Sequence, residues 1–254
     1  MTVHRSILIT GMSGLIGSAA RRRLEPRAEL AALNRSDVPG IATVRADLSD
    51  LDAIRPAFEG RDTVIHLAAK AGDGYTWEEL RDTNVIGTRN VLEAARLAGC
   101  KRVVFASSGA TVAGWEREEP YRAIAEGRYE DVPPDWVRIR HDMATRPSGP
   151  YASTKIWGEA LGRHYADSVE LSVIALRIGF VNAEDRPVAP RTFAVWCSQR
   201  DVVDAIERAV DLDESVRYDI FFIHSDNKWG YRDLSHPREV LGFSPQDAAE
   251  DHRA

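Results

Sequence analysis

Ser6-Ile7-Leu8-Ile9-Thr10 runs directly into Gly11-Met12-Ser13-Gly14-Leu15-Ile16-Gly17 near the amino end of this 254-residue chain. The first five residues form a short apolar, β-branched run of strand type, and the pattern after Gly14 is helical. The three glycines are spaced for a tight turn, for close backbone approach to a pyrophosphate, and for close packing of the following helix. That helix would turn free N–H groups and the positive end of its dipole toward phosphate. Glycines at this spacing are common by chance. Their place after the first strand and at the mouth of the first helix makes them a dinucleotide cradle. Gly11, Ser13, Gly14, Leu15, Ile16 and Gly17 are assigned to it.

Outward from this loop, short apolar runs alternate with longer helical patterns, as in βαβ units that build a parallel sheet. Strands are expected at residues 6–10, 29–34, 42–45, 63–66, 102–106 and 171–177, with helices near 15–24, 51–58, 78–97 and 151–166. Right-handed crossovers would put helices on both faces, so the expected fold class is α/β, a Rossmann-type doubly wound parallel sheet. Residues 1–179 read as the dinucleotide-binding domain. Within it, residues 115–150 carry Pro120, Pro133, Pro134, Pro147 and Pro150 and read as an insertion beside the site. Its Trp115, Tyr121, Tyr129 and Trp136 would either stack on sugar faces or anchor the loop. Residues 180–254 read as a small C-terminal substrate-binding appendage, with a helix near 200–211, a strand near 218–223 and a short helix near 233–241.

Composition narrows the function. A net charge of −6 argues against a nucleic-acid partner, which needs a clustered Lys/Arg surface. No apolar stretch approaches the roughly 20 residues that span a bilayer, so no membrane association is expected. Residues 1–10 lack the apolar core and cleavage site of a signal peptide. Cys100 and Cys197 stand in no metal-ligand spacing, which fits a reducing cytoplasm. The seven histidines, His4, His66, His141, His164, His224, His236 and His252, are scattered along the chain, and no metal is expected.

Four further strand ends point to a ligand, since open α/β sheets bind at the carboxyl ends of their strands. The second strand closes on Asn34-Arg35-Ser36 where an acid would bind the ribose of NAD. With Arg35 placed to pair with a 2′-phosphate and Ser36 adding a donor, NADP is favoured over NAD within an NAD(P) site. The alternative leaves Arg35 solvated and Asn34 alone on the ribose. Asp47-Leu48 follows the third strand and Leu67-Ala68-Ala69 the fourth, where the small Ala68 and Ala69 let a cofactor lie close to the backbone. Tyr151 and Lys155 stand at i and i+4, on one helix face. Ser107-Ser108 at the end of the fifth strand faces the same edge and suits a substrate hydroxyl. No Gly-x-Ser-x-Gly elbow surrounds Ser108, which argues against a hydrolase.

The Gly-rich loop, Asp47-Leu48, Asp82-Thr83-Asn84, Ser107-Ser108 and Tyr151-x-x-x-Lys155 occur in the order seen in the extended short-chain dehydrogenases. The chain resembles this family of sugar epimerases, dehydratases and dehydrogenases along nearly its whole length. The resemblance implies hydride transfer between a carbinol carbon and the nicotinamide, with Tyr151 as general acid or base, Ser108 orienting the hydroxyl, and Lys155 holding the ribose and lowering the phenol's pKa. Moving a tyrosine from about 10 to near 7 takes about 4 kcal/mol, which Lys155 and an oxidised nicotinamide would supply jointly. It also implies cofactor contacts at Asn84 and Ile178, and a homodimer through the helices at 78–97 and 151–166. Gly158 and Gly162 would then admit a close helix neighbour or serve packing on the sheet.

Within the family the chain is most similar to uronate dehydrogenases, over residues 102–108, 151–158, 177–179, 191–196 and 229–242. This implies a small sugar or sugar-acid substrate met by Lys70, Ser108, Gly109 and Arg191. Arg191 would grip a substrate carboxylate or pair with Glu184 or Asp185. The chain departs from that pattern at Gly109-Ala110, where those enzymes have Asn-His, at Ala71, where they have a serine, and at Arg35, where they have an acid. An epimerase that retains its cofactor and a non-catalytic NADP-binding sensor are the competing expectations.

Overall fold

The computed structural model describes residues 5–72 and 74–253, so the first four residues of the stretch read for a targeting signal lie outside it. Seven strands form one sheet: β1 (Arg5–Thr10), β2 (Ala28–Asn34), β3 (Ala42–Arg45), β4 (Thr63–His66), β5 (Arg102–Ser108), β6 (Ser172–Ile178) and β7 (Tyr218–Ile223). Their order is β3-β2-β1-β4-β5-β6-β7, and every neighbouring pair is parallel. The winding reverses between β1 and β4, which opens a crevice at the carboxyl end of β1, where the glycine loop leaves the sheet.

The helices are α1 (Leu15–Leu24), α2 (Leu51–Ile54), α3 (Trp77–Leu80), α4 (Gly87–Ala98), α5 (Tyr121–Glu126), α6 (Pro150–Ser168), α7 (Thr192–Val195), α8 (Gln199–Asp211) and α9 (Ser235–Val240). They cover both faces of the sheet. Ile7, Ile9, Val104, Ile174 and Leu176 point into one core under α1 and α8. Leu8, Val64, Val103, Phe105, Val173 and Ala175 point into the other, under α4 and α6. Burial on both faces is why these strands read as continuous apolar runs rather than alternating ones.

Two expectations change, and two open alternatives are decided. The helix expected over residues 78–97 is three pieces: α3, capped by the reciprocal Thr76–Glu79 box, a π-helical turn at Arg81–Ile86, and α4. The glycines of α6 face the sheet, because a Cβ at Gly158 would lie 2.5 Å from the Phe105 ring and one at Gly162 2.7 Å from Val173 Cγ1. The carboxyl-terminal region is no separate cap, since β7 pairs with β6 along its whole length and α8 packs its apolar face on the sheet beside α1. In the insertion, Tyr121 makes edge contacts with Trp115, Trp136 and Tyr231, while Tyr129 stacks on Trp229 at 4.4 Å. These aromatics anchor the loop to itself and to the carboxyl-terminal region.

The histidines are less scattered in space than along the chain. The His141 ring lies parallel to that of His236 at 3.7 Å, and His236 Nε2 is 2.8 Å from Asp219 Oδ1. Ligand atoms of all three lie within 4.8 Å of one another. A face-to-face stack keeps the in-plane lone pairs of the two rings parallel, so a shared cation requires one ring to turn. As it stands, the cluster pins the insertion to β7 and α9.

Candidate active site

The glycine loop is shaped by the chain's own packing. Gly11 has φ +72°, and its N–H donates to Leu33 O at 3.1 Å. A Cβ there would sit 2.9 Å from the Ala68 backbone, and one at Gly17 would sit 2.3 Å from Gly11 O. Only glycine lets the turn, α1 and the end of β4 come this close. Gly14 is the N-cap of α1, and no side chain caps the helix. The first-turn N–H groups are therefore left to a ligand or water.

Asn34 closes β2 inside this crevice. It is 6% exposed, and neither Oδ1 nor Nδ2 has a hydrogen-bond partner among the described residues. A buried amide is almost always partnered, so this one marks where a polar ligand edge belongs. Arg35 and Ser36 follow it, both exposed. Asp47 accepts from Ser49 N at 2.9 Å and Ser49 Oγ at 2.7 Å, and these bonds hold its carboxyl below the ordinary range. Leu48 is buried beneath α4, and Leu67 N and Ala68 N are tied to Thr10 O and Oγ1. Cradle, orphaned amide and small-residue floor together fit a dinucleotide.

On the other side of the crevice, α6 starts at Pro150 and lifts Tyr151 and Lys155 on successive turns. The Lys155 ammonium is 5.8 Å from the Tyr151 ring centroid and 5.0 Å from that of Phe105, and it donates to Ala106 O at 2.8 Å. Burial pushes its pKa down to about 8, against the opposing pull of Glu159. Ser108, the last residue of β5, accepts from Ala110 N at 3.1 Å, which leaves its hydroxyl proton for another acceptor. Ser108, Gly109, Tyr151, Ile178 and Arg191 line one cavity of about 390 Å³.

Some assignments shift with the geometry. Lys70 is outside the cavity lining, with its ammonium 3.3 Å from Glu79 and over the Tyr75 ring at 4.7 Å. The Asn84 amide is fully engaged: it accepts from Lys70 N at 2.8 Å and donates to Lys70 O and Thr154 Oγ1. It is thus a positioning residue that ties the loop after β4 to α6. Arg191 pairs with neither Glu184 nor Asp185. It binds Glu116 through Nε and Nη2 at 2.7 and 2.8 Å. Gly109 makes room for Arg232, whose Nη1 lies 2.2 Å from where a Cβ would stand.

Reading the sequence missed Glu116, Arg232 and the buried pair Arg177–Glu159. Arg177 donates Nε and Nη2 to Glu159 at 2.9 and 2.8 Å, and Ser107 Oγ donates to the same carboxylate. This locks α6, one turn beyond Lys155, onto β5 and β6. The available signal was an arginine inside the otherwise apolar β6 and an acid four residues after Lys155.

Residues 7–191 match the model of the NAD dependent epimerase/dehydratase family. L-arabinose 1-dehydrogenase (NAD(P)(+)) of Haloferax volcanii is 31% identical over 95% of this chain and 96% of its own length. NAD-dependent glucose-6-phosphate dehydrogenase of the same organism is 30% identical over 96% of this chain and 94% of its own. A mutant uronate dehydrogenase from Agrobacterium tumefaciens, solved in complex with NAD, superposes with a TM-score of 0.82. It is 30% identical and covers 98% of this chain and 87% of its own. The chain belongs to the NAD dependent epimerase/dehydratase family.

Proposed function

We propose that this chain is an NAD(P)-dependent oxidoreductase acting on a hydroxyl of a small sugar or sugar acid. The carrying observation is that Ser108 and Tyr151 line one monosaccharide-sized cavity, with buried Lys155 one helical turn behind the phenol. Bound NAD(P) supplies the two-electron acceptor. Ser108 orients the substrate hydroxyl, and the Tyr151 phenolate takes its proton as general base, or returns it in the reverse direction. The Lys155 ammonium favours that phenolate by its charge and by its place in a dry pocket. Arg177–Glu159 holds the helix so that these groups keep their register.

Gly11, Ser13, Gly14, Leu15, Ile16 and Gly17 hold the diphosphate, and Asn34 the adenosine end. NADP is preferred over NAD, on the ground that exposed Arg35 and Ser36 stand where an acid would otherwise meet the ribose. Residues 1–179 carry the cofactor, while residues 180–254 add Arg191 and Arg232 to the substrate cavity. The free, buried thiols of Cys100 and Cys197 suit a cytoplasmic setting, and no helix among the described residues is long and apolar enough to cross a membrane. The homodimer is assigned to the outward faces of α4 and α6, with Ile86, just before α4, and Leu97, near its end, exposed.

The test is Tyr151→Phe. Turnover of sugar with NAD(P) is expected to fall by roughly 10²–10⁴-fold while cofactor affinity is kept. Unchanged turnover removes the phenol from the reaction. The epimerase alternative has less support, because a cavity of about 390 Å³ suits a single sugar ring better than a nucleotide sugar.

A further inference from the structure

We propose that Glu116 sets the charge class of the substrate, so that the cavity takes a neutral monosaccharide and discriminates against one bearing a carboxylate or phosphate. The inference rests on reading this cavity as a sugar site.

Arg191 is the cavity's most open cation, with its side chain 42% exposed, and its planar fork is the geometry that reads an anion. One edge of that fork, Nε with Nη2, is closed from within the chain. Nε and Nη2 each donate to one oxygen of Glu116, and the Tyr231 hydroxyl donates to Oε1 of the same carboxylate. The Glu116 side chain is only 16% exposed, so its charge sits in the cavity wall, beneath the guanidinium it neutralises. An entering carboxylate or phosphate finds the Nε–Nη2 edge already filled and meets the Glu116 charge beside the Nη1 side that is left.

Arg232, the second guanidinium in the wall, does not replace it. The residue is 3% exposed and folded against Gly109, with Nη2 donating to Gly109 O at 3.0 Å and to the Tyr231 hydroxyl at 3.3 Å. Its Nε and Nη1 are shut off from solvent and have no hydrogen-bond partner among the described residues. Through Tyr231 it leans on the same Glu116 carboxylate. Glu116 therefore compensates the one guanidinium that reaches the cavity, Arg232 is held back by burial, and the outward groups of the cluster accept and donate hydrogen bonds. A sugar hydroxyl does both, and binds such a cluster without desolvating a second unpaired charge.

The experiment compares sugars matched except at carbon 6: D-galactose with D-galacturonate, and D-glucose with D-glucose 6-phosphate. Affinity is read by calorimetry on NADP-saturated Tyr151→Phe protein, and kcat/KM on the wild type. The neutral member of each pair is expected to be favoured at least about ten-fold, since one unmatched charge contact changes affinity by that order. Glu116→Gln keeps the shape and frees the Arg191 charge, so it is expected to shift each ratio at least about ten-fold toward the anion. Preference of the wild type for either anionic sugar overturns the proposal, as does an unchanged ratio in Glu116→Gln protein that melts like the wild type. If Glu116→Gln does not fold, the wild-type ratios decide. Neutral-selective binding without turnover would sink the dehydrogenase reading and leave the charge class standing. Turnover that favours galacturonate would do the reverse, and binding of none of the four overturns the proposal outright.

Discussion

Arg35 is where a single side chain has the most to say about cofactor choice. It stands exposed just past the buried Asn34, at the carboxyl end of β2 beside β1. Under the proposed preference for NADP, a guanidinium there would pair with the 2′-phosphate and lose that partner when the cofactor is NAD. Arg35→Asp replaces an attraction with a repulsion toward phosphate and offers a ribose hydroxyl an acceptor. The ratio of kcat/KM with NADP to that with NAD is expected to drop by roughly 10–100-fold, the worth of one charge-assisted hydrogen bond. Steady-state assays with each cofactor read it, and an unchanged ratio returns Arg35 to a solvated loop. Neighbouring Asp47 needs no cofactor to explain its low pKa, because Ser49 already supplies the hydrogen bonds.

At the level of elements, the helices show which surfaces remain for assembly. The small residues of α6 are used against Phe105 and Val173 and offer nothing to a partner helix. The π-helical turn at Arg81–Ile86 changes the phase between α3 and α4, with Asn84 turned in toward α6 and Ile86 turned out. Ile86 and Leu97 lie 11 residues apart, close to three helical turns, so both face solvent on one side. If this face forms the dimer, light scattering at micromolar concentration gives twice the chain mass for the wild type. Replacing both Ile86 and Leu97 with Asp would then give the chain mass alone. A monomeric wild type refutes the assignment.

Across the whole molecule, the two cores bury titratable groups that set its response to pH. Burial pushes His66 down to about 3 and His224 down to about 4, from an ordinary 6.5. Between those values and 6.5 the unfolded chain binds protons that the folded one refuses, so stability falls as pH drops through this window. Glu93, held down to about 2 chiefly by Arg96, adds a loss in the same direction below its ordinary 4.5. Lys155 acts at the other end: with a folded value of about 8, its contribution rises with pH from 8 toward 10.5. The urea midpoint is therefore expected to fall steadily from pH 7 to pH 4.5, and a flat profile there would contradict the buried neutral state of both histidines.

What could be read from residues alone was what local rules govern. The Gly11–Gly17 loop, the Tyr151–Lys155 spacing and the alternation of strands and helices each depend on neighbours within a turn or on hydrophobic period, and the strands expected at residues 6–10, 42–45, 63–66 and 218–223 lie where the structure has them. Tertiary structure alone decided the pairings that cross the chain. Glu116 meets Arg191 over 75 residues, and His141 meets His236 over 95. Gly109 is small for the sake of Arg232, and Gly158 for the sake of Phe105. No spacing rule encodes these contacts, because each arises only when separate βα units are laid side by side in one sheet. The candidate cofactor cradle is built from one continuous segment and announces itself, whereas the candidate substrate wall is assembled from β5, the insertion and the carboxyl-terminal region and does not.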